Sequence, residues 1–301
     1  MYLHAGGALG RDGAVPGVQV QLPAELQSYC LLPSHQGAAR VSAVQASLHF
    51  LSLAPDRISF LLLAAAYRAP LRKVDFSLFL TGKTGVFKTA VAALCQQHFG
   101  TALDANGLPG NFSSTSAALQ WLAFQAKDAL LVVDDFAPTG RNGDSQLQNV
   151  SERLFRAAGN RQGRSHMGGD GRLSTPTPPR ALVLATGEEV PAGQSIRARQ
   201  LIVEVGPGEV RKARLSECQR AARAGQFSIA MGAYVSWLAD HYEERQERLQ
   251  NRVRDLRSRG YGEQRTLDSR RLWRSCRVGG SCSRRPAKCR TGKTAGVLHR
   301  C

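Results

Sequence analysis

Residues Gly82-Lys83-Thr84-Gly85-Val86-Phe87-Lys88-Thr89 set two glycines, a lysine and a threonine at nearly the spacing of a phosphate-binding loop. In such a loop a strand delivers a glycine turn, backbone N–H groups surround phosphate oxygens, and the next helix points its positive end at them. Lys88 would hold the β- and γ-phosphates, and the Thr89 hydroxyl would ligate Mg²⁺. Phe87 stands where the pattern has glycine, and a helical-region backbone would accommodate it. A second match, AKCRTGKT at 287–294, follows CSRRP and lacks a strand before it, so context favours the first.

The sequence ALLVVDD (129–135) has the form of a buried strand that carries carboxylates to its C-terminal end. Asp134 would support Mg²⁺, and Asp135 would orient or polarise the attacking water. A buried strand entering an ordinary turn is the alternative. The 46 residues from Lys88 to Asp134 leave room for a helix, a short strand near 108–112 and a second helix. VLATGE (183–188) ends a further strand at Thr186, a position that can sense the γ-phosphate or water by a hydrogen bond; a plain strand and glycine turn read equally well. SIRAR (195–199) offers Arg197 and Arg199, which would stabilise transition-state charge at a neighbouring subunit's nucleotide or would simply be solvated.

The segment 153–172 gathers Arg153, Arg156, Arg161, Arg164 and Arg172 around glycines, as a mobile basic loop for a nucleic-acid backbone, or a second source of an arginine acting on a neighbouring subunit, would. Cys276, Cys282, Cys289 and Cys301 crowd the end of the chain, but without a C-x-x-C pair they do not read as a zinc site. The seven histidines form no H-E-x-x-H, and there is no G-x-S-x-G, so metalloprotease and serine-hydrolase readings lack their motifs.

The elements that must hold these residues follow from hydrophobic periodicity. FSLFL (76–80), ALLVVDD, RALVLATG (180–187) and QLIVEV (200–205) read as strands. Helical patterns run over 41–53, 57–68, 88–99, 114–126, 146–158, 213–224 and 227–257, and VQVQL (18–22) reads as an edge strand. Strands alternating with helices predict a mostly parallel sheet. The expected organisation is a two-helix lead-in at 1–70, an ATPase core at 71–208, a helical segment at 209–258 and a disordered basic tail at 259–301.

At 301 residues and 43% apolar content the chain can bury a full core. Its longest apolar run, ISFLLLAAAY, is ten residues, against about 20 for a membrane span. No signal-like segment opens the chain, and seven cysteines argue against a disulfide framework, so a cytoplasmic setting without membrane contact is expected. The net charge of +17 points to an acidic partner such as nucleic acid. It is uneven: residues 1–250 hold 25 basic and 20 acidic side chains, and 251–301 hold 15 and 3.

DFSLFLTGKTGVFKT, AKDALLVVDDFAPTG, RLFRAAGNRQGR and PPRALVLATGEEVPAGQSIRAR together resemble a bacterial family of P-loop ATPases catalogued as a domain of unknown function. Its members are common on plasmids, phages and integrated elements, often follow a primase-polymerase domain, and are proposed as helicases. The resemblance spans about residues 5–245 and implies that a bulky residue before the loop lysine is normal, that Asp134 and Asp135 are the acidic pair, and that GNRQGR and SIRAR supply family arginines.

The expected fold is therefore an α/β P-loop NTPase of RecA-like or AAA-type, with a parallel sheet flanked by helices and helical segments at both ends. The expected function is Mg²⁺-dependent ATP hydrolysis coupled to DNA unwinding or translocation in mobile-element replication. A ring-like homo-oligomer, single-stranded DNA and a separate primase are the expected partners. The alternatives are a non-catalytic nucleotide switch or DNA-binding scaffold, including a truncated fragment, and a small-molecule kinase.

Overall fold

The computed structural model describes residues 1–33, 37–138, 140, 144–163 and 175–275. Residues 1–246 form one compact unit and 247–301 a second. The first opens with three short antiparallel strands, β1 (Tyr2–His4), β2 (Gly7–Gly10) and β3 (Gly13–Ala14). VQVQL, predicted as a strand, is instead an unpaired segment between Gly17 and Pro23. The pairing falls to the preceding glycine-rich residues, where Gly13 adopts a φ of 104° at the start of β3.

Two lead-in helices follow, α1 (Ala38–His49) and α2 (Asp56–Arg68), the second entered through Pro55 and carrying Asp56 in its first turn. The central sheet is built from β4 (Ser77–Thr81), β5 (Gly110–Asn111), β6 (Leu130–Phe136), β7 (Leu182–Gly187) and β8 (Gln200–Glu204). All its neighbours pair in parallel in the order β5-β6-β7-β4-β8. Between the strands run α3 (Lys88–Gln96), α4 (Ser116–Gln125), α5 (Asp144–Asn160) and the single turn α6 (Gln194–Arg197). Thr115 caps α4, its hydroxyl accepting the Ala118 N–H at 3.2 Å.

β4, β6 and β7 are apolar on both faces because helices cover both, which explains their uninterrupted hydrophobic runs. In the centre of the sheet Phe79 meets Phe136 and Phe155 edge to face, at centroid separations of 6.0 and 6.1 Å. This aromatic cluster fixes the strand that feeds the glycine loop against the strand that carries the acidic pair.

The C-terminal helices are α7 (Lys212–Arg223), α8 (Gln226–Asp240) and α9 (Tyr242–Ser275). The continuous helix predicted for 227–257 is thus broken at His241, which leaves helical backbone at φ −133°. α9 continues past residue 259 to Ser275, into the stretch read as irregular tail. Cys276, Cys282, Cys289 and Cys301, with the second loop match at 287–294, lie outside the described residues. Among the described residues no helix is long and apolar enough to cross a membrane.

A buried polar chain secures the helices behind the glycine loop. The Ser47 hydroxyl lies 2.8 Å from the Tyr67 hydroxyl and 2.9 Å from His98 Nε2, while His98 Nδ1 lies 3.1 Å from the Cys95 carbonyl. The His98 ring also stacks on Phe227 at 4.5 Å. Burial lowers the His98 pKa from 6.5 to about 4, so below pH 6.5 the unfolded chain takes up a proton that the folded chain refuses. Stability is predicted to fall from pH 6.5 towards pH 4, and urea unfolding at pH 7 and pH 5 should show a smaller fall in His98→Gln than in the parent.

Candidate nucleotide site

Thr81 ends β4 and Gly82 begins the loop at the C-terminal edge of the sheet. Gly82 has a φ of 153°, and a Cβ there would fall 2.4 Å from the Val205 carbonyl oxygen. Any other residue would push the loop off the end of β8, so this first glycine is required by close backbone approach. Val86 is buried and anchors the loop tip, and Lys88 opens α3.

Phe87 departs from expectation. Its φ of 67° and ψ of 23° are left-handed, the conformation that glycine supplies at low cost in this position of the pattern. A bulky residue held there costs about 1–2 kcal/mol. The ring stays partly exposed, with Lys212 Nζ, at the start of α7, 5.8 Å from its centroid.

Lys88 Nζ donates to the carbonyls of Gly82 at 2.6 Å and Lys83 at 2.9 Å, so the ammonium lies over the loop it would serve. The Thr89 hydroxyl donates to Asp134 Oδ1 at 2.9 Å, and the Thr186 hydroxyl donates to the same oxygen. One carboxylate thereby joins α3, β6 and β7. Thr186, almost wholly buried, also accepts the Asp135 N–H at 3.4 Å.

Consecutive residues of a strand normally face opposite sides, yet Asp134 and Asp135 line one cleft. A register shift between β6 and β7 at Val133/Phe136, with Asp135 at a φ of 69°, makes a bulge that redirects the second side chain. The cleft, about 390 Å³, is lined by Thr84, Gly85, Phe87, Lys88 and Thr89 on one side and Asp134, Asp135, Thr186 and Glu188 on the other. A space of that size lies within the range of small-ligand sites.

Glu188 is the cleft residue to which the sequence reading gave no role. Its carboxylate accepts the Thr84 hydroxyl, and its carbonyl accepts Thr81 Oγ1 at 3.0 Å. The signal was present, an acidic residue directly after the glycine that ends β7, but Thr186 absorbed the motif.

The arginines lie elsewhere. Ser77 pairs with Gln200 at the start of the strands and Thr81 with Glu204 at their ends, so Arg199, the residue before Gln200, lies at the opposite end of β8 from the cleft, and Arg197 lies in α6 just before it. Arg199 Nε donates to Asn160 Oδ1 at 3.0 Å, and its Nη1 donates to Ser195 Oγ at 2.8 Å; Arg197 Nε reaches the Pro191 carbonyl at 3.4 Å. The GNRQGR and SIRAR blocks therefore meet at Asn160, away from the chain's own cleft. Arg153, Arg156 and Arg161 are described and Arg164 and Arg172 are not; Arg156 pairs with Glu152 at 2.6 Å.

The donor set fits a Mg²⁺-nucleotide. A hydroxyl and a carboxylate oxygen 2.9 Å apart are hard ligands of the kind Mg²⁺ takes beside phosphate and water, and the first N–H groups of α3 lack intrahelical acceptors. Among the described residues no cluster of three or more His, Cys, Asp or Glu side chains could hold a metal ion. Any metal here would therefore lean on phosphate and water oxygens as well as on Thr89 and Asp134.

The parallel sheet with helices on both faces, a glycine loop after β4 and an acidic strand β6 separated from it by β7 define an α/β P-loop NTPase fold of RecA-like or AAA type. No protein-family model matches the chain, and no curated protein sequence does. Among solved structures it is similar to "SCCmec type IV Cch - active helicase", with 13% identity and a TM-score of 0.43 over 73% of this chain and 41% of that one. It is also similar to JCV helicase, at 15% identity and a TM-score of 0.39 over 72% and 62% in a structure with a bound small molecule, and at 17% and 0.37 over 72% and 61% in an inhibitor-bound one. The chain thus spans about two-fifths of the first protein's chain and about three-fifths of the others. Likeness at this level carries no argument about activity.

The shared acceptor makes a measurable prediction. Asp134→Ala should cost about 1–3 kcal/mol without nucleotide, because the buried Thr186 hydroxyl loses its acceptor. Combined with Thr186→Val it should cost less than the sum of the single changes, by about 0.5 kcal/mol or more in urea unfolding. Strict additivity would refute the shared bond.

Proposed function

We propose that the chain is a Mg²⁺-dependent ATPase that couples hydrolysis to movement along or unwinding of DNA. The observation that carries the first half is the convergence of Lys88, Thr89, Asp134, Asp135 and Thr186 on one cleft at the C-terminal edge of a parallel sheet.

Bound nucleotide and Mg²⁺ would supply the transferable phosphoryl group and neutralise its charge. Lys88 exchanges its bonds to the Gly82 and Lys83 carbonyls for phosphate oxygens, while Gly82 to Phe87 wrap the chain around them. Thr89 and Asp134 hold the metal. Asp135, turned into the cleft by the bulge, orients the attacking water and takes its proton. Thr186 holds Asp134 in place and reports on the γ-phosphate. Glu188 ties Thr84 to the end of β7, so loop movement on binding or release is transmitted to that strand.

Arg197 and Arg199 complete the site of an adjoining copy in a ring-like homo-oligomer. The place of Arg199 before the start of β8, at the end of that strand away from the chain's own cleft, supports this division of labour. Single-stranded DNA is the proposed track, a separate primase the proposed companion, and mobile-element replication in the cytoplasm the proposed setting. These rest on the basic charge and on the motif resemblance. The rival reading is a nucleotide switch or DNA scaffold that binds without turnover.

Steady-state ATP hydrolysis with and without single-stranded DNA separates the readings. The parent should turn over and be stimulated by DNA, and Asp135→Asn should lose about 100-fold or more. Turnover indifferent to DNA would overturn the motor, and DNA binding without turnover would favour the scaffold. Phosphate appearing on an acceptor other than water would identify a kinase.

A further inference from the structure

Three non-glycine residues of the first unit with positive φ gather at the opposite edge of the sheet from the nucleotide cleft: Arg72 at φ 57°, Lys73 at 53° and Asp128 at 62°. Arg72 and Lys73 precede β4, and Asp128 precedes β6. Such conformations cost about 1–3 kcal/mol each and persist where neighbours over-determine them, characteristically at functional sites. The neighbours here are specific. Arg68 donates to the Arg72 carbonyl at 2.7 Å and the Lys73 carbonyl at 3.4 Å, and Arg72 Nε bonds Asp128 Oδ2 at 2.8 Å.

The chemistry of this edge is basic. The Asp128 carboxylate is largely covered, whereas Arg72, Lys73, Lys127 and Arg180 are exposed. Lys127 Nζ stands 3.7 Å from the same Asp128 oxygen. Even with Asp75 beyond Lys73 the cluster stays net positive. The Asp128 N–H bonds the Arg180 carbonyl at 3.3 Å, which fixes the starts of β6 and β7 side by side. Arg180 sits over Phe124, its guanidinium carbon 3.7 Å from the ring centroid, and its Nε donates to the Phe124 carbonyl at 2.7 Å. A guanidinium immobilised on one face by an aromatic ring presents the other as a stacking platform for a base, while the surrounding cations suit phosphates.

We infer that this edge, formed by Arg72, Lys73, Lys127 and Arg180, is a binding surface for single-stranded nucleic acid. The inference deepens the DNA-binding half of the proposed function and uses none of the residues assigned to the nucleotide cleft. Lys73 and Lys127 take backbone phosphates, Asp128 holds Arg72 in position, and Arg180 stacks on a base.

The test is equilibrium binding of the full chain to a labelled oligothymidylate across about 50–200 mM salt. Relative to the parent, K73E/K127E should bind about tenfold or more weakly, with a log–log salt slope shallower by about 1.4, the value for two phosphate contacts on a single strand. The charge-matched control R11E/R220E should stay within about twofold of the parent and keep its slope. Arg180→Lys keeps the charge and loses the planar stack, so it should weaken binding severalfold at unchanged slope. Equal losses for K73E/K127E and R11E/R220E, or no binding by the parent, would overturn the inference. So would an Arg180→Lys variant as tight as the parent, or duplex bound as well as the single strand. Because binding is read without turnover, a parent that binds in this pattern but hydrolyses nothing would refute the ATPase and leave the surface standing.

Discussion

The arrangement of the cleft at the end of the sheet depends on a single carboxylate oxygen. Asp134 Oδ1 accepts the hydroxyls of Thr89, at the start of α3, and Thr186, at the end of β7, while its own backbone belongs to β6. A partly buried acceptor shared by two donors, one of them the buried Thr186 hydroxyl, is costly to leave half satisfied, so the loop helix, the acidic strand and the strand inserted between β4 and β6 are held as one unit. The aromatic cluster of Phe79, Phe136 and Phe155 supports that unit from beneath. Glu188 adds a second tie, from the end of β7 back to Thr84.

Around this rigid centre the backbone is strained at two points, Phe87 and Asp135, both left-handed and both facing the cleft. The strain at Asp135 has a clear return, since the bulge brings two successive carboxylates to one side of the sheet. At Phe87 the loop keeps the turn that glycine ordinarily supplies while placing an aromatic ring beside Lys212. The pattern is therefore preserved in backbone geometry where it is broken in residue type.

Much of this was legible in the sequence because buried parallel strands leave an unambiguous trace. FSLFL, ALLVVDD and RALVLATG are apolar on both faces, and each emerges as a strand within one or two residues of its expected bounds. Convergence of the loop with Asp134, Asp135 and Thr186 followed from strand ends meeting at one edge. Non-local geometry was not legible. The bulge at Asp135 depends on the register with β7, the role of Glu188 depends on the approach of Thr84, and the left-handed turn at Phe87 runs against the preference of its residue type. VQVQL misled because alternation alone cannot say whether a partner strand is within reach. The basic edge was hidden for the same reason: Arg72, Lys127 and Arg180 are far apart in sequence and meet only where the sheet aligns the starts of its strands.

The central claim is that the loop from Gly82 to Thr89 holds nucleotide phosphates although phenylalanine precedes its lysine. The most direct measurement is calorimetric titration of a slowly hydrolysed ATP analogue into the parent and Lys88→Ala, each with and without Mg²⁺. The account predicts saturable binding by the parent that tightens with Mg²⁺ and is lost, by about 100-fold or more, in Lys88→Ala. A parent that does not bind, or a Lys88→Ala variant that binds equally well, would contradict it.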